Sequence, residues 1–501
     1  MQQPSVPASD YVAALPDPET ADNVAYNPSL EQLREFSRHH ETTTEFGSPS
    51  YVSRERSRNA ERTKNTVDHE FDAADYELVD GALSDLDDRE LVCLDRQMGR
   101  HPDHTYVCRY YVPKAHSRIA LGWAKLFEPV EGEREPDFHT VQLPDREEVG
   151  VRVFPDEGFT AVVGSDYTGE AKKSFLRLFM YYAKRQGGLG LHAGSKRVEL
   201  ETDDGLETVG QLFLGLSGTG KSTLTAHGLW LDEPEGATML QDDVCALGPD
   251  GTVAGSEGQG LFVKTHGLDS ETEPAMYDAV TDESAVLENV DVDGDGAVDF
   301  DSDRYTTNGR AIIQRERLSS AGADIDLPEV DQIFFITRNP AMPPIAKLTP
   351  EEAAVAFMLG ESVQTSAGDP SAAGESIRVV GTNPFIIGSE GEEGNRFREL
   401  ITDLDVDCFV LNTGSVGPLD VGVEETVTLL RTVARESLDW ERDGTTGLTV
   451  PSDVPGMDID EFDVATALSD PQSTLDALRD ERDSYLARFD DLDPAIRDAR
   501  Y

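Results

Sequence analysis

The sequence predicts an α/β protein: an N-terminal α+β domain over residues 51–187, then a mononucleotide-binding domain over 188–501 built around a P-loop. Three observations carry this. Residues Gly215-Leu216-Ser217-Gly218-Thr219-Gly220-Lys221-Ser222 fit the pattern Gly-x-x-x-x-Gly-Lys-Ser/Thr. The run before them, Gly210-Gln211-Leu212-Phe213-Leu214, suits a buried strand, and Ser222 to His227 can open a helix. Residues 327–337 hold Val330, Ile333, Phe334, Phe335 and Ile336, which suits a further core strand.

The elements follow in chain order. Residues 1–50 are polar, Pro-rich and weakly periodic, and are predicted to be poorly ordered. Residues 53–64 carry Arg54, Arg56, Arg58, Arg62 and Lys64, which reads either as a solvated helix face or as an anion site. Residues 75–165 look α+β, with a strand-like run from Tyr106 to Val112. From Lys173 to Arg185 an amphipathic helix is expected, with Phe175, Leu178, Phe179 and Tyr182 on one face. Strands and turns follow Gly187-Gly188. Residues 364–377 are rich in Gly, Ser and Ala and read as a mobile loop. Val427, Leu430 and Val433 mark one face of a helix, and the charged C-terminal 30 residues read as surface helix. The stretch Asp291-Val292-Asp293-Gly294-Asp295-Gly296 starts like an EF-hand loop. Its twelfth position is Ser302 rather than the required glutamate, so an acidic hairpin is the expectation.

Composition narrows the partners. The 501 residues include 97 acids against 43 bases, a formal net charge of −54. Such a surface repels nucleic acid and anionic membranes. Only ten of the bases are lysines, a pattern that suits work at very high salt, where screening removes self-repulsion. Five of those ten, Lys172, Lys173, Lys184, Lys196 and Lys221, fall within one 50-residue window, which suggests specific tasks. The cysteines, Cys93, Cys108, Cys245 and Cys408, are far apart and form no Cys-x-x-Cys, so neither a zinc site nor a disulfide framework is indicated. No apolar run approaches a membrane span, and the first residues lack the features of a signal peptide. A cytoplasmic location is expected.

The chemistry starts from the glycines at 215–220, which let backbone N–H groups turn toward a phosphate. Lys221 would reach the β- and γ-phosphates and the Ser222 hydroxyl would hold Mg²⁺. Met239-Leu240-Gln241-Asp242-Asp243 is an apolar stretch ending in two acids, suited to holding a metal that bridges phosphates. Upstream, Gly164 to Lys173 combines a Gly turn, Tyr167 and the adjacent Lys172 and Lys173, whose mutual repulsion favours a neutral amine on one of them. His192 follows the Gly187–Gly190 turn and could be structural or a ligand.

Taken together, these residues resemble the ATP-type phosphoenolpyruvate carboxykinase family. Gly215 to Leu224 looks like that family's kinase-1 loop, Tyr167-Thr168-Gly169-Glu170-Ala171-Lys172-Lys173 like its Tyr-x-Gly-Glu-x-Lys-Lys segment, and Gln241-Asp242-Asp243 like its kinase-2 segment. Further similarity lies at Glu273 to Tyr277, Leu287 to Val290, Asn308-Gly309-Arg310, Pro343-Pro344 and Leu411 to Gly414. The resemblance implies a reaction that converts oxaloacetate and ATP to phosphoenolpyruvate, CO₂ and ADP. It implies Mn²⁺ at Lys173, His192 and Asp243. It implies nucleotide binding at Gly215, Leu216, Ser217, Gly218, Thr219, Gly220, Lys221, Ser222, Thr223, Lys264, Glu273 and Arg310, with a second metal, Mg²⁺, at Ser222. It implies substrate contacts from Tyr167, Lys173 and Arg56, the last in Arg56-Ser57-Arg58-Asn59, the nearest analogue of a Gly-Arg-Ser-Pro-Lys segment. Lys173, Lys221, Arg310 and Tyr167 would be catalytic. The 51–187 domain would bind substrate. A P-loop kinase for another small molecule or a protein, and a nucleotide-binding regulator, are the alternatives; oligomeric state is left open.

Overall fold

The computed structural model describes residues 10–203, 205–216, 218–363 and 376–501. Ser217 and most of the loop expected at 364–377 lie outside the described residues. The chain packs as two units, residues 1–182 with 255–325, and residues 183–254 with 326–501. The second domain expected over 188–501 is therefore interrupted. Residues 255–325, which carry Lys264, Glu273 and Arg310, belong to the first unit. The cause is long-range strand pairing. Gly260–Lys264, Arg310–Gln314 and Val286–Glu288 form one sheet with Pro49–Tyr51 and Thr42–Thr43.

The first unit also contains a sheet of eight strands. Its path runs Val24–Tyr26, Leu91–Met98, Tyr106–Pro113, Phe138–Leu143, Phe159–Val163, Gly150–Phe154 and Thr63–Asn65, with Glu128–Pro129 pairing Leu91–Met98. The helix Thr168–Arg185 starts earlier than the sequence suggested. Its residues Phe175, Leu178, Phe179 and Tyr182 are buried, and Phe175 packs against Trp123 at 5.1 Å between ring centroids. The expected poor order of residues 1–50 does not hold for residues 10–50. Val24–Tyr26 pairs in parallel with Leu91–Cys93, and helix Leu30–Phe36 carries a capping box between Ser29 and Gln32. These short elements borrow partners from distant strands, so a polar local composition conceals them. Residues 291–299 form the acidic hairpin, with Asp291–Val292 antiparallel to Val298–Asp299.

In the second unit eight strands form a mixed sheet, in the order Gly236–Gln241, Ala193–Thr202, Gly205–Leu214, Gln332–Thr337, Asp407–Asn412, Ile345–Leu348, Thr449–Pro451 and Trp440–Arg442. Its central strands alternate strictly. Leu212, Leu214, Ile333, Phe335, Cys408 and Val410 enter one apolar cluster, while Phe213, Phe334, Ile336, Phe409 and Leu411 enter another. Side chains two apart share a face of a strand, so both faces of this sheet are buried. Phe213, Phe334 and Phe409 stack across three strands at 5.3 and 5.2 Å. Helix Val423–Ala434 covers one face with Val427, Leu430 and Val433. The C-terminal segment is more than surface helix. Leu486, Leu492 and Ile496 join the core of the other face.

Candidate active site

Gly205–Leu214 runs parallel to Gln332–Thr337, which runs parallel to Asp407–Asn412. Ligands of such sheets gather at the carboxyl ends of the strands, and the Gly215–Gly220 segment leaves from one of those ends. Gly218 and Gly220 have φ of +85° and +95°, a region costly for residues with a Cβ. At Gly215 a Cβ would come within 2.5 Å of Thr219 Oγ1. The chain that follows each neighbouring parallel strand braces the loop. Thr413 Oγ1 donates to the Thr219 carbonyl at 2.7 Å, and Arg338 Nη1 to that of Gly218 at 3.1 Å. Helix Lys221–Ala226 follows, with Ser222 and Thr223 exposed at its start.

His192 lies beside this helix, with its Nε2 3.4 Å from Lys221 Nζ and 2.9 Å from Asp243 Oδ1. Its Nδ1 is 2.7 Å from the Thr382 carbonyl oxygen. Burial, and next the Lys221 ammonium, push the imidazole below its ordinary pKa, against the pull of Asp243. A neutral imidazole has one N–H, and a carbonyl only accepts, so Nδ1 is the donor. The Nε2 lone pair then faces the Asp243 carboxylate, two acceptors beside the Lys221 ammonium that a divalent ion could also bridge. The buried Asp242 Oδ1 next to it has no hydrogen-bond partner among the described residues. An imidazole nitrogen and a carboxylate oxygen suit a divalent ion of the Mn²⁺ kind. Among the described residues no three His, Cys, Asp or Glu side chains form a metal cage, so further ligands would have to be an amine, a hydroxyl, substrate or water.

The first unit holds the other predicted residues. Tyr167 immediately precedes helix Thr168–Arg185 and is buried, its hydroxyl making no hydrogen bond among the described residues. Burial raises its pKa and Arg310 opposes the rise. A Cβ at Gly169 would meet the Tyr167 ring at 2.3 Å, so only glycine lets the ring fold over the first turn. Arg310 and Lys264 sit opposite each other on antiparallel strands, and burial, then the Arg310 charge, pushes the Lys264 pKa down. Arg310 donates to Asn308 Oδ1 at 2.8 Å. The Phe262 ring gathers this group: Tyr167 lies 6.1 Å away, Lys172 Nζ 5.4 Å and Arg310 Cζ 5.4 Å. Lys172 is ion-paired with Glu257 at 2.9 Å, and Lys173 is half-buried on the same helix.

The basic run at 53–64 is not a helix face. It is a loop that leads through the turn Ala60–Arg62 into strand Thr63–Asn65. Its backbone is held by carboxylates on either side of Tyr167. Asp166 accepts from the N–H groups of Arg54 and Glu55, and Glu170 from that of Asn59. Arg56 Nη1 donates to Asn289 Oδ1 at 2.6 Å, its guanidinium lies 5.5 Å from the centre of the Tyr305 ring, and its carbonyl accepts from Asn308 Nδ2 at 2.8 Å. Glu273 stands at the start of helix Pro274–Val280. The structure thus collects Lys221, His192 and Asp243 in the second unit and Tyr167, Lys264, Arg310 and Arg56 with its supports in the first. Lys173 belongs to the first unit, and His192 and Asp243, expected to share its metal, belong to the second.

Sequence reasoning missed the supporting residues Asn289, Asn308, Asp166, Glu170, Phe262 and Thr382. Asn289, Asn308 and Glu170 fall inside segments that carried the resemblance, which was the one available signal for them.

A sequence model described as phosphoenolpyruvate carboxykinase matches residues 24–460. The chain belongs to the phosphoenolpyruvate carboxykinase family. Curated relatives agree along its length. The phosphoenolpyruvate carboxykinase (ATP) of Aeropyrum pernix is 34% identical over 473 residues, 93% of this chain and 94% of that one. Those of Mesorhizobium japonicum and Afipia carboxidovorans are 30% and 32% identical over 68% and 61% of this chain, and 64% and 57% of theirs. The family match spans both groups of residues described above, Arg56 to Arg310 and His192 to Asp243.

Proposed function

We infer that this chain is an ATP-dependent phosphoenolpyruvate carboxykinase, a lyase that decarboxylates oxaloacetate and moves the γ-phosphoryl group of ATP to the resulting enolate, giving phosphoenolpyruvate, CO₂ and ADP. The observation that carries this is similarity over 93% of the chain to an enzyme of that name. Its place is gluconeogenesis.

The residue roles are our reading. Gly215 to Thr223 cradle the phosphates with backbone N–H groups, and Lys221 neutralises charge on the transferring phosphoryl group. Arg310 and Lys264 supply further positive charge to the phosphates, and Glu273 belongs to the nucleotide site. Arg56 binds a substrate carboxylate, with its guanidinium oriented by Asn289. The buried Tyr167 hydroxyl, which interacts with Asn308 and Arg310, contributes to the substrate pocket. His192, Asp243 and Lys173 would hold Mn²⁺, and Ser222 would hold Mg²⁺ with the nucleotide. Bound there, the cations supply Lewis-acid stabilisation of the negative charge that builds on the enolate and phosphate oxygens. The neutral His192, with Nδ1–H committed to Thr382, keeps its Nε2 lone pair directed at that position.

We also propose that the enzyme works in the cytoplasm of a high-salt cell. Its four cysteines are buried free thiols, which suits a reducing compartment. No helix among the described residues is long and apolar enough to cross a membrane. The net charge of −54 needs screening. A coupled assay in molar KCl tests the function: oxaloacetate-dependent ADP formation is expected, and ATP turnover indifferent to oxaloacetate would refute it. The melting temperature should rise between roughly 0.1 M and roughly 3 M KCl, and a flat profile would remove the high-salt reading.

A further inference from the structure

Lys196 has no exposed surface. It lies on strand Ala193–Thr202, whose residues two apart share a face. Gly194 and Lys196 both turn toward helix Lys221–Ala226. At Gly194 there is no room for a side chain, since a Cβ would come within 2.1 Å of Thr225 Oγ1. At Lys196 the side chain passes the Phe213 ring, with Nζ 5.4 Å from its centre. Its amine donates to the carbonyl oxygen of Leu224 and, at 2.7 Å, to that of His227. Both carbonyls belong to the C-terminal end of the helix: that of Leu224 also accepts the backbone N–H of His227 at 3.3 Å, and that of His227 lies past the last turn.

Among the described residues Lys196 makes no ion pair with a carboxylate, and burial pushes its pKa down to about 7. An amine without a counter-ion is costly to bury, and an apolar side chain would fill the same space more cheaply. Its two acceptors account for it. A neutral amine carries two N–H groups and a charged one three, so both forms can satisfy both carbonyls.

The helix it grips is only six residues long. Its first two residues, Lys221 and Ser222, lie about 3–5 Å along the axis from Leu224, one of the two residues whose carbonyls Lys196 holds. So short a helix moves as one body, and a shift at its far end is a shift at its start. We propose that Lys196 is a positioning residue for the nucleotide: its amine anchors the end of this helix and so sets where Lys221 and Ser222 meet the phosphates. The proposal rests on reading residues 215–222 as the phosphate loop.

The test uses the full chain in molar KCl and three variants: Lys196→Met, Lys196→Gln, and Leu400→Ala as a control. Leu400 is a buried core residue on helix Glu390–Asp403 of the same unit. Binding of MgADP is measured by titration, with kcat, KM for ATP and KM for oxaloacetate alongside. Lys196→Met should weaken MgADP about tenfold or more, because displacements on the order of 1 Å are costly at such sites. Its KM for oxaloacetate should stay near the wild-type value. Lys196→Gln, one atom short of reaching both carbonyls, should show the same selective loss to a smaller degree. Leu400→Ala should lower the melting temperature and leave MgADP affinity intact. If Lys196→Met does not fold, Lys196→Gln carries the comparison. The inference is overturned if the Lys196 variants bind MgADP like wild type, or lose no more affinity than Leu400→Ala. Lys221→Ala, measured beside them, separates the two readings: normal MgADP binding and turnover in that variant would mean that the phosphate loop itself is misassigned.

Discussion

Asn289→Ala tests the substrate arm of the site through a residue that need not touch substrate. Asn289 Oδ1 accepts from Arg56 Nη1 at 2.6 Å, from the Ser53 N–H at 2.9 Å and from Ser53 Oγ at 3.1 Å, and its Nδ2 is 2.8 Å from Ser53 Oγ. Its backbone has φ of +61°, where asparagine is better tolerated than alanine. A hydrogen bond to a charged group contributes about 1.5–3 kcal/mol. If all of it orients Arg56 for a substrate carboxylate, the substitution should raise KM for oxaloacetate about 10- to 100-fold, at about 1.4 kcal/mol per factor of ten. The freed Ser53 N–H adds a stability loss of about 1–3 kcal/mol. KM for ATP should stay unchanged, because none of these bonds involves the phosphate loop. Steady-state kinetics with each substrate varied in turn, plus a thermal melt, read all three quantities. A normal KM for oxaloacetate in a destabilised protein would show that the Asn289–Arg56 bond serves the fold alone, and that Arg56 is not the substrate arginine.

Other perturbations address the remaining parts. Lys221→Ala removes the charge nearest the transferring phosphoryl group and should lower kcat by about two to three orders of magnitude with a normal melting temperature; near-normal turnover would end the P-loop assignment. Lys173→Arg keeps a positive charge but has no lone pair to donate, so it should lose Mn²⁺ activation as fully as Lys173→Met. Retained Mn²⁺ affinity in the Arg variant would exclude Lys173 as a ligand. Burial pushes His116 and His139 down to about 4 from the ordinary 6.5. Between those values the unfolded chain takes up protons that the folded chain refuses, so stability should fall as pH drops through this window, by at most roughly 1.4 kcal/mol per pH unit for each histidine. Denaturant midpoints at both ends of the window, for wild type and His139→Gln, check this. An unaltered slope in the variant would remove His139 from the account.

Much of the chemistry was legible in the chain itself. The glycine-rich segment needs no tertiary information to suggest a phosphate loop, because that reading depends on backbone freedom and on a lysine and a serine at fixed offsets. The alternation at Phe213 and Phe334 is likewise local: one face of a strand, read two residues at a time. The resemblance, carried by short segments such as Tyr167 to Lys173, identifies the family from the sequence alone.

Tertiary structure decided what depends on pairing between distant parts of the chain. Nothing near Gly260 or Arg310 announces that their strands join Pro49–Tyr51 in one sheet through Val286–Glu288, which places this later segment in the first unit and not in the second domain the sequence suggests. The order in residues 10–50 was hidden for the same reason, since Val24–Tyr26 is a strand only because Leu91–Cys93 accepts it. Side-chain partners across long separations were equally silent. Asn289 reaches Arg56, Thr382 sets the tautomer of His192, and Lys196 finds the end of a helix that begins 25 positions further on. Local sequence determines which groups can do chemistry. Long-range packing determines which of them meet, because hydrogen bonds and burial act through space and leave no period in the chain.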